Sequence, residues 1–207
     1  MGLLDEISVD AACYARARWP NRQGGLTWLS CMVLLATCRG LQLLVFHRFQ
    51  HWVYKRYGQK TTIGAYFFKV LCYCGNHLAV IMAKSQVECD VVIGLGTYLS
   101  NAGNMIIGAV RIGAGCVVQA NVTIGVDNTS PERKKPSIGS SVWIGANSVI
   151  YGGISIGDGV TLQEGTVLSR SVPARCVVGG NPVRILRRDW NNEGLLANPN
   201  GCSAELM

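Results

Sequence analysis

Histidine is scarce in this 207-residue sequence, and none of its three histidines follows His77. Acidic residues are also missing from a long stretch, because no Asp or Glu stands between Asp10 and Glu88. His47 and His51 stand four residues apart, so they would share one face of a helix. A metal ion would need a further ligand that this stretch does not offer. We therefore expect no metal site.

Cysteine spacing, charge and hydropathy exclude several other classes. The nine cysteines are an odd number without the paired spacing of a zinc site, which indicates reduced thiols and a cytoplasmic protein. The net charge of +7 is carried by scattered residues with no basic motif interleaved with aromatics, so we expect no nucleic-acid partner. The apolar run after Leu26 is interrupted at Arg39-Gly40 after about fourteen residues, too few for a membrane span. It also lacks the features of a signal peptide.

The first 86 residues are predicted to form a helical region. Leu3–Trp19 contains several alanines and is followed by Pro20, a pattern typical of a short helix. Helical patterns continue over Leu26–Tyr57, whose second half has a basic face, and over Tyr66–Met82. The apolar helix after Leu26 has two interpretations that stay open, a helix packed in the core and a helix that contacts a membrane surface.

Downstream, an aliphatic residue recurs at every sixth position, which fits neither a helix nor a strand. Six residues for each short side are typical of a chain that winds a triangular coil, with Gly at the corners. A small or branched residue follows four positions later, and the inward aliphatic residues are expected to stack from coil to coil. The aliphatic positions are Ile112, Val118, Ile124, Ile138, Ile144, Ile150, Ile156, Leu162 and Leu168.

The repeat begins at Val87, is interrupted by a loop between Gly125 and Ile138, and changes phase once before that loop. Counting forward from Leu99 and back from Ile112 leaves one extra residue before Ile106. We expect a local bulge over Ser100–Asn104.

The six-residue repeat, followed by Gly180-Asn181-Pro182, resembles the hexapeptide-repeat acyltransferases, and most closely their serine acetyltransferase-like branch, which includes polysaccharide-synthesis acetyltransferases. The resemblance implies a mainly β protein with a left-handed parallel β-helix over residues 87–186, behind the helical region 1–86 and before a tail, 187–207. It also implies a homotrimer or a higher assembly. An acyl-coenzyme A thioester, acetyl-CoA in the first instance, would bind between neighbouring β-helices.

The bulge carries the main departure from that family. Asn101 stands where the family has its catalytic histidine, and Ser100 stands where serine acetyltransferases have Asp. An amide does not titrate near neutral pH, so Asn101 cannot act as a general base. Three alternatives stay open. An amine acceptor could be oriented by Asn101 and Asn104, which we favour; Asp127 could accept the proton; or a histidine could come from the helical region, the candidates being His47, His51 and His77.

Other family positions transfer by resemblance. The loop before Ser137 matches the family loop over the acceptor, so Lys134 and Lys135 are candidates for substrate binding. The residues implied to contact the acyl-CoA are Ala146, Gly152, Gly153, Asn181, Arg184 and Arg187. The arginines suit phosphate groups. Glu164 departs from the small residue common in the family.

We therefore predict an acyl-CoA dependent acyltransferase that acts on a hydroxyl or amine of a small metabolite or sugar. Two alternatives are a non-catalytic paralogue that serves as a trimeric scaffold or regulatory subunit, and a His-to-Asn inactivated variant of an O-acetyltransferase.

Overall fold

The structure, a computed structural model, describes residues 2–19, 27–57, 63–129 and 132–199. The predicted helix stop at Pro20 and part of the loop before Ser137, namely Ser130-Pro131, lie outside these residues. Among the described residues, four helices precede the β region and one follows it: α1 (Leu3–Arg18), α2 (Trp28–Thr37), α3 (Arg39–Tyr57), α4 (Ile63–Ala83) and α5 (Glu193–Ala197). The predicted helical region is confirmed, with the break between α2 and α3 at Cys38.

In the described part of the chain, fourteen short strands wind as a three-sided coil, and a fifteenth pairs antiparallel at its end. Face A is the sheet of β1 (Gln86–Val87), β4 (Ile106–Ile107), β7 (Thr123–Gly125), β10 (Val149–Tyr151) and β13 (Val167–Leu168). Face B is the sheet of β2 (Val92–Ile93), β5 (Arg111–Ile112), β8 (Ser137–Ile138) and β11 (Ser155–Ile156). Face C is the sheet of β3 (Tyr98–Leu99), β6 (Val117–Val118), β9 (Trp143–Ile144), β12 (Thr161–Leu162), β14 (Val177–Gly179) and β15 (Arg184–Arg187).

The chain visits faces A, B and C in turn, so strands of one face pair in parallel across successive coils. Ile112 pairs with Ile138, Val118 with Ile144, and Ile124 with Ile150. The nine predicted aliphatic positions are buried, and so are the small or branched residues four positions on, such as Ser148 and Thr166. The six-residue repeat and the β-helix are thus confirmed.

The phase change after Leu99 is larger than predicted. The register pairs Leu99 with Val118 and Ile107 with Ile124, so two extra residues, rather than one, precede the next inward residue. The predicted inward residue, Ile106, is half exposed, whereas Ile107 is fully buried. One residue fewer then separates Ile107 from Ile112, which restores the phase. Counting back from Ile112 in sixes missed this, because the segment from Leu99 to Ile107 is two residues longer than six and the segment from Ile107 to Ile112 is one residue shorter. The count between Leu99 and Ile112 shows only the net excess of one residue.

The first coil would expose an unpaired strand edge, and the helices cover it. The hydroxyl of Tyr14 donates to the carbonyl of Leu99 at 2.7 Å and accepts from its N–H at 2.9 Å. Arg48 donates to the carbonyls of Ile93 and Gly94 and pairs with Asp10 at 3.1 Å. Burial raises the pKa of Asp10, against the opposing effect of Arg48. Helices α1 and α3 are therefore fixed to the coil by buried polar contacts.

The last part of the chain covers face C. After Gly180 the chain reverses, and β15 pairs antiparallel with β14. Asn192 then donates to the carbonyl of Ser141 at 2.8 Å, and Leu195 of α5 is buried. The outward residues of this face, among them Val117, Trp143, Thr161 and Val177, are buried as well. Both sides of face C are thus occupied within one chain.

Candidate active site

The edge where face C turns into face A, edge CA, carries three of the predicted site residues in a column. Asn101 follows β3, Ala146 follows β9 and Asn181 follows β14. Coils repeat about every 4.8 Å, so these residues span about 19 Å along the axis. The column has the elongated shape that an extended thioester ligand requires.

Asn101 is held by the helical region. Its Oδ1 accepts a hydrogen bond from the backbone N–H of Gly40, in the first turn of α3, at 3.1 Å. A Cβ at Gly40 would lie 1.9 Å from the carbonyl oxygen of Leu99, so the helix backbone packs directly on the coil here. A Cβ at Gly103, in the same corner, would lie 2.3 Å from the carbonyl oxygen of Ala83. The predicted catalytic corner is therefore pinned by α3 and by the end of α4.

Asn104 has a structural role that the sequence did not reveal. It adopts a left-handed conformation with φ of 59°, as do Asn121 and Asn147 at the equivalent corners of the next two coils. The Nδ2 of Asn121 donates to Oδ1 of Asn147 at 2.7 Å. Asn tolerates this conformation better than most residues. Each of these asparagines stands three residues before an inward aliphatic residue of face A, and this shared position was the signal that could have found the column.

The edge where face A turns into face B, edge AB, brings together a second set of predicted residues. Asp127, Lys134, Gly152 and Gly153 line one cavity of about 260 Å³. Four further wall residues were not predicted as site residues: Glu132, Tyr151, Ile154 and Ser169. Tyr151 ends β10 and Ser169 follows β13, one coil apart, so coil spacing could have found these two.

The glycines shape this cavity. Gly152 has φ of 90°, a conformation that favours glycine. A Cβ at Gly153 would meet the side chain of Lys134 at 2.6 Å, so the missing side chain lets the lysine stem lie over the backbone. Lys134 also pairs with Glu132 at the surface. The cavity thus combines a cation, two carboxylates and an accessible stretch of backbone.

Asp127 is fixed by its own loop. Its Oδ1 accepts hydrogen bonds from the backbone N–H of Thr129 at 2.8 Å and from the hydroxyl of Thr129 at 2.6 Å. These bonds orient the carboxylate toward the loop.

Lys135 points away from that cavity toward the first coil. It pairs with Asp90 at 2.8 Å and with Glu88, and these contacts raise the pKa of Lys135 and lower that of Asp90. The two lysines predicted together as acceptor ligands are therefore separated by the structure. Lys134 lines the cavity, and Lys135 fastens the loop.

His47 and His51 lie near edge AB, and His77 lies on α4. His47 is buried and its Nε2 contacts the carbonyl of Val91 at 3.0 Å, while Nδ1 of His51 contacts the carbonyl of Cys89 at 3.2 Å. Burial lowers the pKa of His47 to about 4. His77 is exposed on α4, with its ring against Tyr73. Within one chain, these contacts place His47 and His51 on a different edge from Asn101.

The two sets of site residues are separated by the width of face A. Asn101 lies on edge CA and Asp127 on edge AB, and the side of one coil measures about 15–20 Å at strand spacing. One chain therefore does not join them. They can form one site only where edge CA of one chain faces edge AB of another.

The predicted phosphate ligands lie at the far end of the β-helix. Arg184 and Arg187 are exposed on β15, and the guanidinium of Arg187 lies 5.2 Å from the ring centre of Trp190. Asn181 is exposed at the turn before β15, and Glu164 lies one coil below it on edge CA. This end therefore presents cations next to the column that begins at Asn101.

Comparison with known proteins agrees with this architecture. Residues 135–170 match the family described as bacterial transferase hexapeptide (six repeats). The chain is 28% identical over 172 residues to a serine acetyltransferase of Synechococcus elongatus, covering 83% of this chain and 64% of that protein. It is 32% identical over 148 residues to a serine acetyltransferase of Synechocystis, covering 71% of this chain and 55% of that protein. The chain thus spans a little over half the length of these relatives.

Solved structures share the fold. Soybean serine acetyltransferase complexed with serine superposes with a TM-score of 0.72 at 25% identity, covering 89% of this chain and 69% of that one. The Vibrio cholerae serine acetyltransferase superposes with a TM-score of 0.76 at 22% identity, covering 96% of this chain and 70% of that one, a likeness of fold alone. The chain is thus a left-handed β-helix protein that is similar to serine acetyltransferases, and its residues 135–170 match the bacterial transferase hexapeptide family.

Proposed function

We propose that this chain is an acyl-CoA dependent acyltransferase, acetyl-CoA being the first donor to test, with a small hydroxyl or amine compound as acceptor. The observation that carries the proposal is the pair of edges. One has a column of about 19 Å from Asn101 to Asn181. The other has a cavity of 260 Å³ with Lys134 and two glycines. The hexapeptide match over residues 135–170 and the similarity to serine acetyltransferases support the same reaction class.

A trimer would bring the two edges together. Face C is covered by the chain's own tail, whereas Val92, Ile106 and Val110, on faces A and B and at the edge between them, are each more than half exposed. Aliphatic residues exposed in this way favour burial against a neighbour. We therefore propose that edge AB of one chain packs near edge CA of the next.

The acyl-CoA fits this groove by its chemistry. Its long pantetheine arm needs backbone partners along a column, which the corners at Ala146 and Gly152-Gly153 offer on opposing edges. Its phosphates need cations, and Arg184 and Arg187 lie at the end of the column away from Asn101. This arrangement would direct the thioester toward Asn101 and its phosphates toward β15.

The reaction joins the acceptor to the acyl carbon and breaks the carbon–sulfur bond, and the acceptor's proton ends on the thiolate or in solvent. Asn101 cannot take that proton, but an amine that is partly deprotonated needs only orientation. Asn101 and Asn104 are candidates for that orientation, and Asp127 from the neighbouring edge is the candidate proton acceptor. An amine is therefore the acceptor class that we favour.

A second function is favoured by one contact. Because Asn101 caps α3 through Gly40, the amide already has a structural task, as expected of a non-catalytic paralogue that keeps the assembly as a scaffold or regulatory subunit. Binding of CoA alone would fit both proposals. Acceptor-dependent turnover would fit only the first.

Calorimetric titration of the whole protein with CoA and with acetyl-CoA tests the shared premise. We expect saturable binding of both, weakened about tenfold or more in Arg184→Ala or Arg187→Ala, because these cations are proposed to contact the phosphates. Absence of binding to the wild-type protein would overturn the acyltransferase proposal. Light scattering in the same buffer tests the assembly, and a stable monomer would overturn the trimer.

A further inference from the structure

The net positive charge of this protein comes from its helical region. Residues 1–86 hold ten Lys or Arg against three Asp or Glu, a net charge of +7, whereas residues 87–207 hold nine of each. The β-helix region and tail are therefore neutral as a whole. Long-range attraction to an anionic partner would act on the helices.

Helix α4 exposes a broad apolar face. Residues that recur every three or four positions point outward, and most of them are large and apolar. This α4 outer face consists of Tyr66, Phe67, Val70, Leu71, Tyr73 and Ile81. Phe67 is 66% exposed and Ile81 72%. From Tyr66 to Ile81 the face is about 22 Å long. It is therefore a continuous apolar patch, unlike the single exposed apolar residues that are normal on a protein surface.

The opposite side of α4 is already used. The rings of Phe68 and Tyr57 stack with centroids 5.3 Å apart, and a Cβ at Gly75 would meet the ring of Phe46 at 2.4 Å. Cys72, on the same side, is buried. Helix α4 therefore packs on α3 through one face and leaves the other without a partner among the described residues.

Cations surround the outer face. Lys55 and Arg56 are exposed at the end of α3 that contacts α4, and Lys84 is exposed directly after α4. Lys69 lies on α4 itself, 5.8 Å from the ring centre of Tyr66. No acidic residue occurs between Asp10 and Glu88 to offset them. A second copy of the same face would bring these like charges together, whereas an anionic surface would complement them.

We infer that the α4 outer face rests on the surface of an anionic lipid bilayer, with its aromatic and aliphatic side chains at the level of the headgroups and the flanking lysines and arginines on lipid phosphates. Tyr and Phe beside basic residues are typical of helices that lie in this interface. Within the described residues no single helix is long and apolar enough to cross a membrane. Only α2 and α3 together, bent by 101°, meet that criterion.

Sedimentation of the whole protein with lipid vesicles tests this. We expect binding to vesicles of phosphatidylcholine mixed with phosphatidylserine, weaker binding to phosphatidylcholine alone, and weaker binding at high salt. The double variant Phe67→Gln/Val70→Gln should lower the partition coefficient at least about tenfold. Lys55→Gln/Arg56→Gln should lower it mainly for the anionic vesicles. The control Ile185→Gln removes an exposed aliphatic side chain from the far end of the β-helix and should bind as wild type.

Three outcomes would overturn the inference. The wild-type protein could fail to bind anionic vesicles. The Phe67→Gln/Val70→Gln variant could bind them as tightly as wild type. Third, the wild-type protein could fail to bind vesicles while light scattering shows that this variant has a different assembly state in solution. That result would assign the face to a contact between copies of the chain. Circular dichroism of each variant confirms that the fold is intact. None of these readouts depends on acyl transfer.

Discussion

The amide of Asn101 accepts the backbone N–H of Gly40 at 3.1 Å, across 61 residues of sequence. The residue that departs from the family pattern is thus the one that caps helix α3. A histidine at this corner would need its unprotonated nitrogen to take a proton from the acceptor, and the same nitrogen would be needed to accept from Gly40. At this corner an amide that binds the helical region to the β-helix therefore stands in place of a histidine that could titrate.

Removing this cap should weaken the fold. Asn101→Ala leaves the Gly40 N–H without its partner, and we expect the free energy of unfolding to fall by about 1 kcal/mol. Asn101→Asp keeps an oxygen acceptor and places a negative charge at a helix N-terminus, so it should stay near wild type. Urea unfolding of the three proteins at one concentration makes the comparison. Equal stability of the Ala and Asp variants would show that the contact contributes nothing.

Two glycine variants separate close packing from helix propensity. Gly40→Ala places a Cβ 1.9 Å from the Leu99 carbonyl oxygen, so α3 must move off the coil. We expect a loss of about 3 kcal/mol or a failure to fold. In the matched variant Gly64→Ala, the new Cβ meets nothing within 4 Å, and the change should stabilise α4 by up to about 1 kcal/mol. Thermal melts of both proteins give the answer, and a Gly40→Ala protein as stable as wild type would contradict the contact.

His47 should make stability depend on pH. Burial holds the pKa of His47 near 4 in the folded protein, below the value of about 6.5 expected when unfolded, while His51, Arg48 and Asp90 act on it more weakly. The unfolded chain therefore binds a proton that the folded one does not, and stability falls as the pH drops from about 6.5 toward 4. Between about pH 7.5 and pH 5 the loss attributable to His47 is about 2 kcal/mol.

The control for this effect is His47→Gln, whose amide can still donate to the Val91 carbonyl. Urea unfolding at both pH values should show about 2 kcal/mol less pH dependence in this variant than in wild type. Identical pH dependence in the two proteins would show that His47 is not buried in neutral form.

The two neighbouring lysines should behave differently. Lys134 lines the cavity with Asp127 and the glycines, so Lys134→Ala should raise the KM for acyl-CoA or acceptor about tenfold with unchanged stability. Lys135 pairs with Glu88 and Asp90 at a partly exposed site, so Lys135→Ala should cost at most about 1 kcal/mol of stability and affect kinetics only through the loop. Kinetics and urea unfolding of both variants test this. A stability loss in Lys134→Ala with a tenfold higher KM in Lys135→Ala would contradict the structure.

The source of the proton acceptor can be read from the pH dependence of kcat/KM. With an amine acceptor oriented by Asn101, activity should rise with the deprotonation of the acceptor itself, and Asn101→Ala should lower kcat without moving the profile. Asp127→Asn and the three single His→Ala variants at His47, His51 and His77 are the comparison set. Loss of activity confined to one histidine variant would show an imported base, and loss confined to Asp127→Asn would assign the role to that carboxylate.

The sequence predicted the β-helix well because its signal is periodic. Each coil repeats the same inward positions, so the phase at Ile138 also fixes the phase at Leu162, and the phase at Ile112 fixes that at Ile124. The position of the bulge after Leu99 was predicted correctly, but its length was not. Two extra residues before Ile107 are followed by one missing residue before Ile112, so the sequence shows only the difference. The site was predicted less completely. Asp127 and Lys134, which were predicted as site residues, line one cavity. The Asn101–Gly40 contact joins elements 61 residues apart and leaves no local pattern in the sequence.

The most direct test of the account is acceptor-dependent release of the CoA thiol from acetyl-CoA by the purified wild-type protein. The acceptor panel should include amines, sugars and serine. We predict release that requires an acceptor, is fastest with an amine and increases as that amine deprotonates. Tight binding of CoA with no release for any acceptor across the accessible pH range would contradict acyl transfer and assign the chain to the scaffold role.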